Sequence, residues 1–262
     1  MRPARLAIGL TLALLPIASA WAQWQASVGV GLRQVRMVES DQQGRPLVRE
    51  QGQLPGLHGE LTYQTGDWRL SASGGFYQRR IGYHGQVQDG PAFVSHTDTR
   101  HGRIGFEAAH ALTPDTSLVG GFEWDHWRRD IEGRGSTLGL REHYSSWRWL
   151  AGARTLLAQH ATASLTGSAL LVLAQPEQLQ VQFSGQVYDE AHLKTRSARG
   201  LRLALTLQPA LAANLSLTAE LDVLSVKRSD DVPLLQNGVA VGAVAQPRHD
   251  RQAFGLRVDY RF

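Results

Sequence analysis

The sequence contains no cysteine, which excludes disulfide bridges, thiolate metal ligands and cysteine nucleophiles. It also lacks any uninterrupted apolar run of the roughly 18–20 residues that a membrane-spanning helix requires. Its 27 Lys+Arg nearly balance 23 Asp+Glu, so charge gives no reason to expect a nucleic-acid partner. Extensive disorder is not expected either, because 42% of the residues are hydrophobic and only 19% are charged.

The first 22 residues have the pattern of an export signal. Arg2 and Arg5 precede a short apolar stretch, and Ala20-Trp21-Ala22 matches an A-x-A cleavage site. We therefore predict a signal peptide over residues 1–22 and an exported domain over residues 23–262. An exported chain without cysteine fits a bacterial envelope, where disulfides are optional.

Hydrophobic and polar residues alternate in segment after segment of the exported domain. In the first segment Trp24, Val28 and Leu32 share one face, and Gln25 and Arg33 lie on the other. This period of two is typical of β-strands with one apolar face, and no long segment shows the helical period. Ten such segments occur, at residues 24–33, 57–64, 68–77, 103–108, 118–125, 147–154, 163–172, 201–207, 215–223 and 254–262.

The connections between these segments are alternately short and long. Short turns such as residues 65–67 alternate with long polar stretches. An even number of strands with this asymmetry is typical of outer-membrane barrels, which have short periplasmic turns and long outer loops. The strands of a soluble lipocalin-like barrel show the same alternation of apolar and polar residues, so such a barrel is the alternative. The predicted outer loops lie near residues 38–53, 84–97, 130–142, 174–194 and 227–250.

Aromatic residues at the segment ends favour the membrane. Trp24 and Trp68 fall at the predicted periplasmic level and Trp124 and Tyr144 at the outer level, as two interfacial girdles require. The terminal Phe262 closes an alternating strand and resembles the assembly signal of Gram-negative outer-membrane proteins. We predict an all-β, ten-stranded antiparallel up-and-down transmembrane β-barrel in the bacterial outer membrane. We expect it to be monomeric, without a nucleic-acid partner, and recognised by the barrel assembly machinery through its last residue.

The polar face of the predicted barrel carries seven basic and seven acidic residues. Because an unpaired buried charge costs several kcal/mol, we expect these groups to pair and to neutralise the lumen. A narrow conducting pore lined by the same charges is the alternative. The predicted lumen residues are Arg69, Arg103, Arg148, Arg154, Arg202, Arg257, Arg261, Glu60, Glu107, Glu123, Asp125, Glu220, Asp222 and Asp259.

Two basic pairs follow a repeated Gly-Gly-Phe sequence near the outer interface. Arg79 and Arg80 follow Gly74-Gly75-Phe76, and Arg128 and Arg129 follow Gly120-Gly121-Phe122. Arginines at this level suit the phosphates of lipopolysaccharide, so we expect lipopolysaccharide and outer-membrane lipid as partners. Ordinary anchoring of the strands at the interface is the alternative.

Ten strands, five long outer loops and a fourth loop with Asp and His resemble the omptins, the outer-membrane aspartyl proteases. Local likenesses are Ser95-His96-Thr97-Asp98-Thr99 and Tyr188-Asp189-Glu190-Ala191-His192. The resemblance implies an Asp pair on one wall that faces an Asp–His pair on the other, with water between them. The candidates for these catalytic roles are Asp89, Asp98, Asp189 and His192.

The spacing of these candidates favours a non-enzymatic protein. Asp189 and His192 are separated by two residues, so a regular strand places them on opposite faces, and Asp89 is the only aspartate of the second loop. A general base must lie within hydrogen-bond reach of the water that it activates. We therefore expect a structural, adhesive or narrow-pore role without metal or cofactor. An omptin-like hydrolase with a rearranged site at the outer mouth is the alternative.

Overall fold

The computed structural model describes residues 24–86, 92–135 and 137–262, so the predicted signal peptide and Asp89 lie outside the described residues. The described chain forms fourteen β-strands. Within it, no helix is long and apolar enough to cross a membrane. The strands are β1 (Trp24–Ser40), β2 (Pro46–Thr65), β3 (Trp68–Gln86), β4 (Ala92–Ala111), β5 (Thr116–Ile131), β6 (Leu140–Gln159), β7 (Ala163–Ala174), β8 (Gln178–Phe183), β9 (Ala191–Lys194), β10 (Ala198–Pro209), β11 (Leu215–Val226), β12 (Val232–Gln236), β13 (Val239–Val244) and β14 (Arg248–Arg261).

Ten of these strands form a closed antiparallel barrel. The order around the ring is β1-β2-β3-β4-β5-β6-β7-β10-β11-β14, and β14 pairs back onto β1. Nine of the ten predicted segments lie within one of these strands, and the tenth exceeds β14 only by Phe262. The prediction of a ten-stranded antiparallel barrel with up-and-down strands is therefore confirmed.

An apolar belt surrounds the barrel on its outer surface. On β1 the side chains of Trp24, Val28, Val30 and Leu32 are exposed, and the residues between them face the interior. The belt spans about nine residues per strand, which is the length that a tilted strand needs to cross the hydrocarbon core. The periodicity that predicted the strands thus also assigned the two faces of the barrel correctly.

The strands continue well beyond the belt at the end that carries the long connections. β1 reaches Ser40 and β2 begins at Pro46, so the first outer connection is much shorter than the predicted 38–53. Outward residues of this extension, such as Gln34 and Arg36, are exposed and polar. The predicted loops at 84–97 and 130–142 are shortened in the same way. We call the part of the barrel beyond the belt, together with β8, β9, β12 and β13, the outer head.

Two hairpins complete the outer head. β8 pairs with the outer part of β6 and with β9, so it extends the barrel wall. β12 and β13 form a separate hairpin whose turn, Asn237-Gly238, has positive φ at both residues (50° and 77°). This is the turn chemistry that tight β-hairpins favour.

A hydrophobic cluster fills the interior of the outer head. It contains Met37 from β1, Trp127 from β5, Tyr144 from β6 and Leu179 from β8, all buried. β1 and β6 are opposite each other in the ring, so the cluster spans the lumen. The expectation that Tyr144 belongs to the outer aromatic girdle is wrong, because its side chain points inward. Trp147, which was expected at the same level, is exposed at the outer edge of the belt, as is Trp149.

Candidate functional site

Ion pairs cross the lumen at the level of the belt. Arg103 on β4 lies 2.8 Å from Glu220 on β11, which is on the opposite side of the ring. Arg202 contacts Glu123 at 2.8 Å, and it also reaches Asp222 at 2.8 Å. Side chains from opposite walls therefore meet in the middle of the barrel.

All fourteen predicted lumen residues are on inward-facing positions, and all but one take part in an ion pair. Arg261, at the periplasmic end, has no ion pair with any residue that the structure describes. The other pairs join Arg69 to Glu60, Arg103 to Asp222, Arg148 to Glu123 and Asp125, Arg154 to Glu107, and Arg257 to Asp259.

Arg33 is a further member of this network that the prediction did not include. Its guanidinium is buried, donates to Asp222 at 3.2 Å, and donates to Nδ1 of His101 at 3.3 Å. Arg33 lies on the polar face of the first alternating segment, so the pattern that identified the other lumen charges also contained this one.

Arg129 is buried inside the outer head, so its predicted contact with lipopolysaccharide is wrong. Its side chain is 1% exposed, and its Nη1 lies 3.0 Å from Glu39 and 2.6 Å from Glu142. Its Nε lies 3.0 Å from Glu50. Adjacent residues of a strand face opposite sides, so Arg128 points outward and Arg129 inward.

Three carboxylates thus share one guanidinium in a site without solvent. Burial, together with the negative charges of Glu39 and Glu50, raises the pKa of Glu142 to about 7, although Arg129 opposes this shift. Tyr144 donates to the same carboxylate at 3.0 Å. None of Glu39, Glu50 and Glu142 was predicted, because they lie in stretches whose polar composition indicated loops.

Two imidazole–carboxylate pairs are buried deeper in the barrel. His101 contacts Asp125 at 2.6 Å, and His249 contacts Glu177 at 3.1 Å. Arg251 lies beside both pairs, with Nη1 at 2.9 Å from Glu177 and 3.7 Å from Asp125. Such pairs are the components of general-base catalysis, but these two are enclosed by the barrel wall and the hydrophobic cluster.

Asp98, Asp189 and His192, the predicted catalytic candidates that the structure describes, do not converge at the outer mouth. Asp189 accepts from the backbone N–H groups of Asn237 at 3.2 Å and Gly238 at 2.8 Å, so it holds the turn of the β12–β13 hairpin. The His192 side chain is 66% exposed and lies 3.2 Å from Glu190. Asp98 faces outward on β4 and is exposed.

The remaining basic candidates lie just beyond the belt. Arg80 points outward and pairs with Glu132. Its neighbour Arg79 is exposed but lies on the side of β3 that carries the buried Tyr77 and Ile81. Arg128 lies directly opposite Arg100 on the neighbouring strand β4. Burial and the charge of Arg128 lower the pKa of the neighbouring His143. Arg100 was not among the predicted contacts, because it lies between the predicted loop at 84–97 and the alternating segment that begins at residue 103.

A cleft of about 700 Å³ opens at the tip of the outer head. Asp130, Arg141, Tyr188, Asp189 and Asn237 are among the residues that line it. Its volume lies within the roughly 300–1,000 Å³ of small-molecule sites. Within residues 24–86, 92–135 and 137–262, no group of three or more His, Asp or Glu is placed to hold a metal ion.

The apolar belt, the closed ring of ten strands and the charged interior define an outer-membrane β-barrel. No family model matches the chain, and no curated protein matches it. Among solved structures, the chain is similar to the outer membrane protease OmpT from Escherichia coli, with 9% identity and a TM-score of 0.58 over 92% of this chain and 97% of that one. The likeness in layout to the omptins is thus confirmed for the fold.

Two further solved structures match with lower TM-scores. The translocator domain of the autotransporter NalP from Neisseria meningitidis has 13% identity and a TM-score of 0.47, over 90% of this chain and 88% of that one. The attachment invasion locus protein Ail of Yersinia pestis has 14% identity and a TM-score of 0.34, over 92% and 99%.

Proposed function

We propose that the protein is a non-enzymatic and non-conducting outer-membrane barrel with a structural and adhesive role. The observation that carries this proposal is the contact of opposite walls inside the barrel. Arg103 and Glu220 meet across the lumen at 2.8 Å, and above them the cluster around Met37 and Tyr144 spans the barrel. Side chains that fill the interior of a narrow barrel support a rigid scaffold rather than a pore.

The adhesive part of the proposal is supported by the outer head. Strands that continue beyond the membrane hold the cleft lined by Tyr188 and Asn237 away from the bilayer surface. The cleft has ligand-sized volume and mixes aromatic, acidic and amide side chains, which is the composition of a binding site rather than of a smooth surface.

Uptake of a small neutral sugar by proteoliposomes tests the proposal. Wild-type protein should give the same uptake as protein-free liposomes. A variant in which residues 178–194 are replaced by a short Gly-Ser turn removes β8, β9 and the buried Leu179 and Leu193. Combined with Arg103→Ala and Glu220→Ala, which remove the contact across the lumen, that variant is the matched control, because it lacks both closures and should increase uptake. Sugar uptake through the wild type would contradict the proposal.

We further propose that lipopolysaccharide binds beside Arg100 and Arg128. These two arginines are cross-strand partners on the outer surface, where like charges placed directly opposite each other destabilise a sheet. Asp130 pairs with Arg128, but no carboxylate of the described residues pairs with Arg100, so Arg100 still lacks an anion. A lipid phosphate at this level offers that anion. Arg100→Gln with Arg128→Gln should weaken binding of lipopolysaccharide, whereas Arg49→Gln, exposed but farther from the belt, should not. If the double variant and Arg49→Gln lose lipopolysaccharide binding equally, this contact is contradicted.

A further inference from the structure

A small cavity lies in the middle of the barrel, where the ion-paired lumen meets the hydrophobic cluster. Its volume is about 40 Å³, and Arg33, Arg148, Arg251, His101 and Trp127 are among the residues that line it. This exceeds the roughly 10–15 Å³ that one water-sized sphere occupies. We propose that the cavity binds a monovalent, halide-sized anion such as chloride.

Three of the residues that line the cavity carry a buried N–H group without an acceptor, and apolar side chains such as Leu54 and Leu224 complete the lining. Nε1 of Trp127, Nε of Arg148 and Nε of Arg251 are all buried and receive no hydrogen-bond partner in the structure. The three residues are 6%, 3% and 9% exposed. Buried donors are almost always paired, so three unpaired donors around one cavity indicate an acceptor that occupies it.

The side chains around the cavity offer few acceptors for these donors. Asp222, the carboxylate that lines the cavity, accepts from Arg33, Arg103 and Arg202 at one oxygen, Oδ2. Both ring nitrogens of His101 are in use, because Nδ1 accepts from Arg33 and Nε2 donates to Asp125. The lining therefore offers more donors than acceptors.

This excess of donors favours an anion over a water molecule. A water molecule brings two hydrogens that need acceptors of their own, whereas a halide accepts from every N–H group and needs none. The guanidinium of Arg251 lies 4.4 Å from the centre of the Trp127 ring, which fixes a positive charge beside the cavity. Hydrogen bonds from charged donors are also the stronger ones.

Anomalous diffraction from crystals grown with bromide in place of chloride tests the proposal directly. A bromide peak within hydrogen-bond distance of at least two of the three N–H groups is the expected result. Bromide only on the protein surface, or density in the cavity without anomalous signal, would overturn it and assign the cavity to water.

A solution measurement uses the Trp127→Phe variant, which keeps the aromatic ring beside Arg251 but removes the N–H donor. At a chloride concentration ten times the dissociation constant, the unfolding equilibrium constant of the wild type should fall about 11-fold relative to gluconate of equal ionic strength. Trp127→Phe should lose most of this effect, and the lipid-facing Trp149→Phe should keep it. Identical unfolding of the wild type in chloride and gluconate would overturn the proposal.

Discussion

Arg129 and Glu142 are cross-strand partners on β5 and β6, and their side chains meet inside the outer head with 2.6 Å between Nη1 and Oε2. The same guanidinium contacts Glu39 on β1, across the barrel. With Glu50 on β2 as its third partner, one arginine thus ties four strands together beyond the membrane. The stability of the outer head depends on this site more than on any surface pair.

Replacement of Arg129 by methionine should destabilise the barrel strongly. Removal of the guanidinium leaves Glu39, Glu50 and Glu142 buried without a cation, and loss of one partner of a buried ion pair costs about 3–5 kcal/mol. Arg128→Met is the matched control, because its pair with Asp130 is partly exposed and contributes about 0–1 kcal/mol. Urea unfolding in lipid vesicles measures the loss of stability in each of the two variants. Equal unfolding midpoints would show that the buried cluster does not stabilise the fold.

The stability of the outer head should fall as pH rises through neutrality. The pKa of Glu142 is raised from 4.5 to about 7, so the folded protein holds a proton that the unfolded chain releases. Between these two pKa values the folded state binds more protons, and the free energy of unfolding therefore decreases with pH. The decrease in the free energy of unfolding is complete above the pKa that Glu142 has in the folded protein. It amounts to a few kcal/mol, since one pKa unit corresponds to about 1.4 kcal/mol.

Glu142→Gln isolates this effect, because the amide resembles the protonated acid. The stability difference between wild type and Glu142→Gln should grow from about pH 5 to about pH 8, whereas Glu132→Gln, which is exposed, should follow the wild type. Parallel pH profiles of wild type and Glu142→Gln would rule out the raised pKa.

A charge in the middle of the apolar belt should be poorly tolerated. Val258 and Gln252 lie on the same outward face of β14, one within the belt and one beyond it. Val258→Arg should destabilise the barrel by about 2–4 kcal/mol in a bilayer, and Gln252→Arg by about 0–1 kcal/mol. If both variants fold equally well, the belt has been placed incorrectly on the strands.

Asp189 should act as a structural residue of the β12–β13 hairpin. Asp189→Ala removes the acceptor of the Asn237 and Gly238 N–H groups, so hydrogen exchange at these two amides should become faster. His192→Ala should leave exchange unchanged. Neither variant should alter cleavage of dibasic peptides, which we expect to be absent. Cleavage by wild type that both substitutions abolish would restore the hydrolase alternative.

The sequence was sufficient to predict the belt and the ion-paired lumen, because there the two faces of each strand differ in hydrophobicity. Trp24, Val28, Val30 and Leu32 face lipid, and Arg33 on the other face of the strand is buried, as the alternation indicated. Beyond the belt this contrast disappears. Glu39 and Glu50 point inward although they are charged, and Arg36 and Arg49 point outward, so both faces look polar in the sequence.

The buried cluster in the outer head was not predictable for a related reason. Arg129 contacts Glu39 although 90 residues separate them in the chain. Contacts of this kind depend on closure of the barrel and on the register of each strand, which a single sequence does not reveal. The neighbours Arg128 and Arg129 illustrate the difficulty. A shift of one residue along the strand moves a side chain from the outer surface to the interior of the barrel.

Electrical recording from single proteins in a planar bilayer tests the central claim most directly. The walls of the barrel meet through Arg103 and Glu220 below the cluster that contains Met37 and Tyr144, so the lumen should be closed to ions. Wild-type protein inserted into the bilayer in concentrated potassium chloride should give no unitary current steps at either polarity. Reproducible steps of constant conductance would contradict the closed barrel and establish a pore.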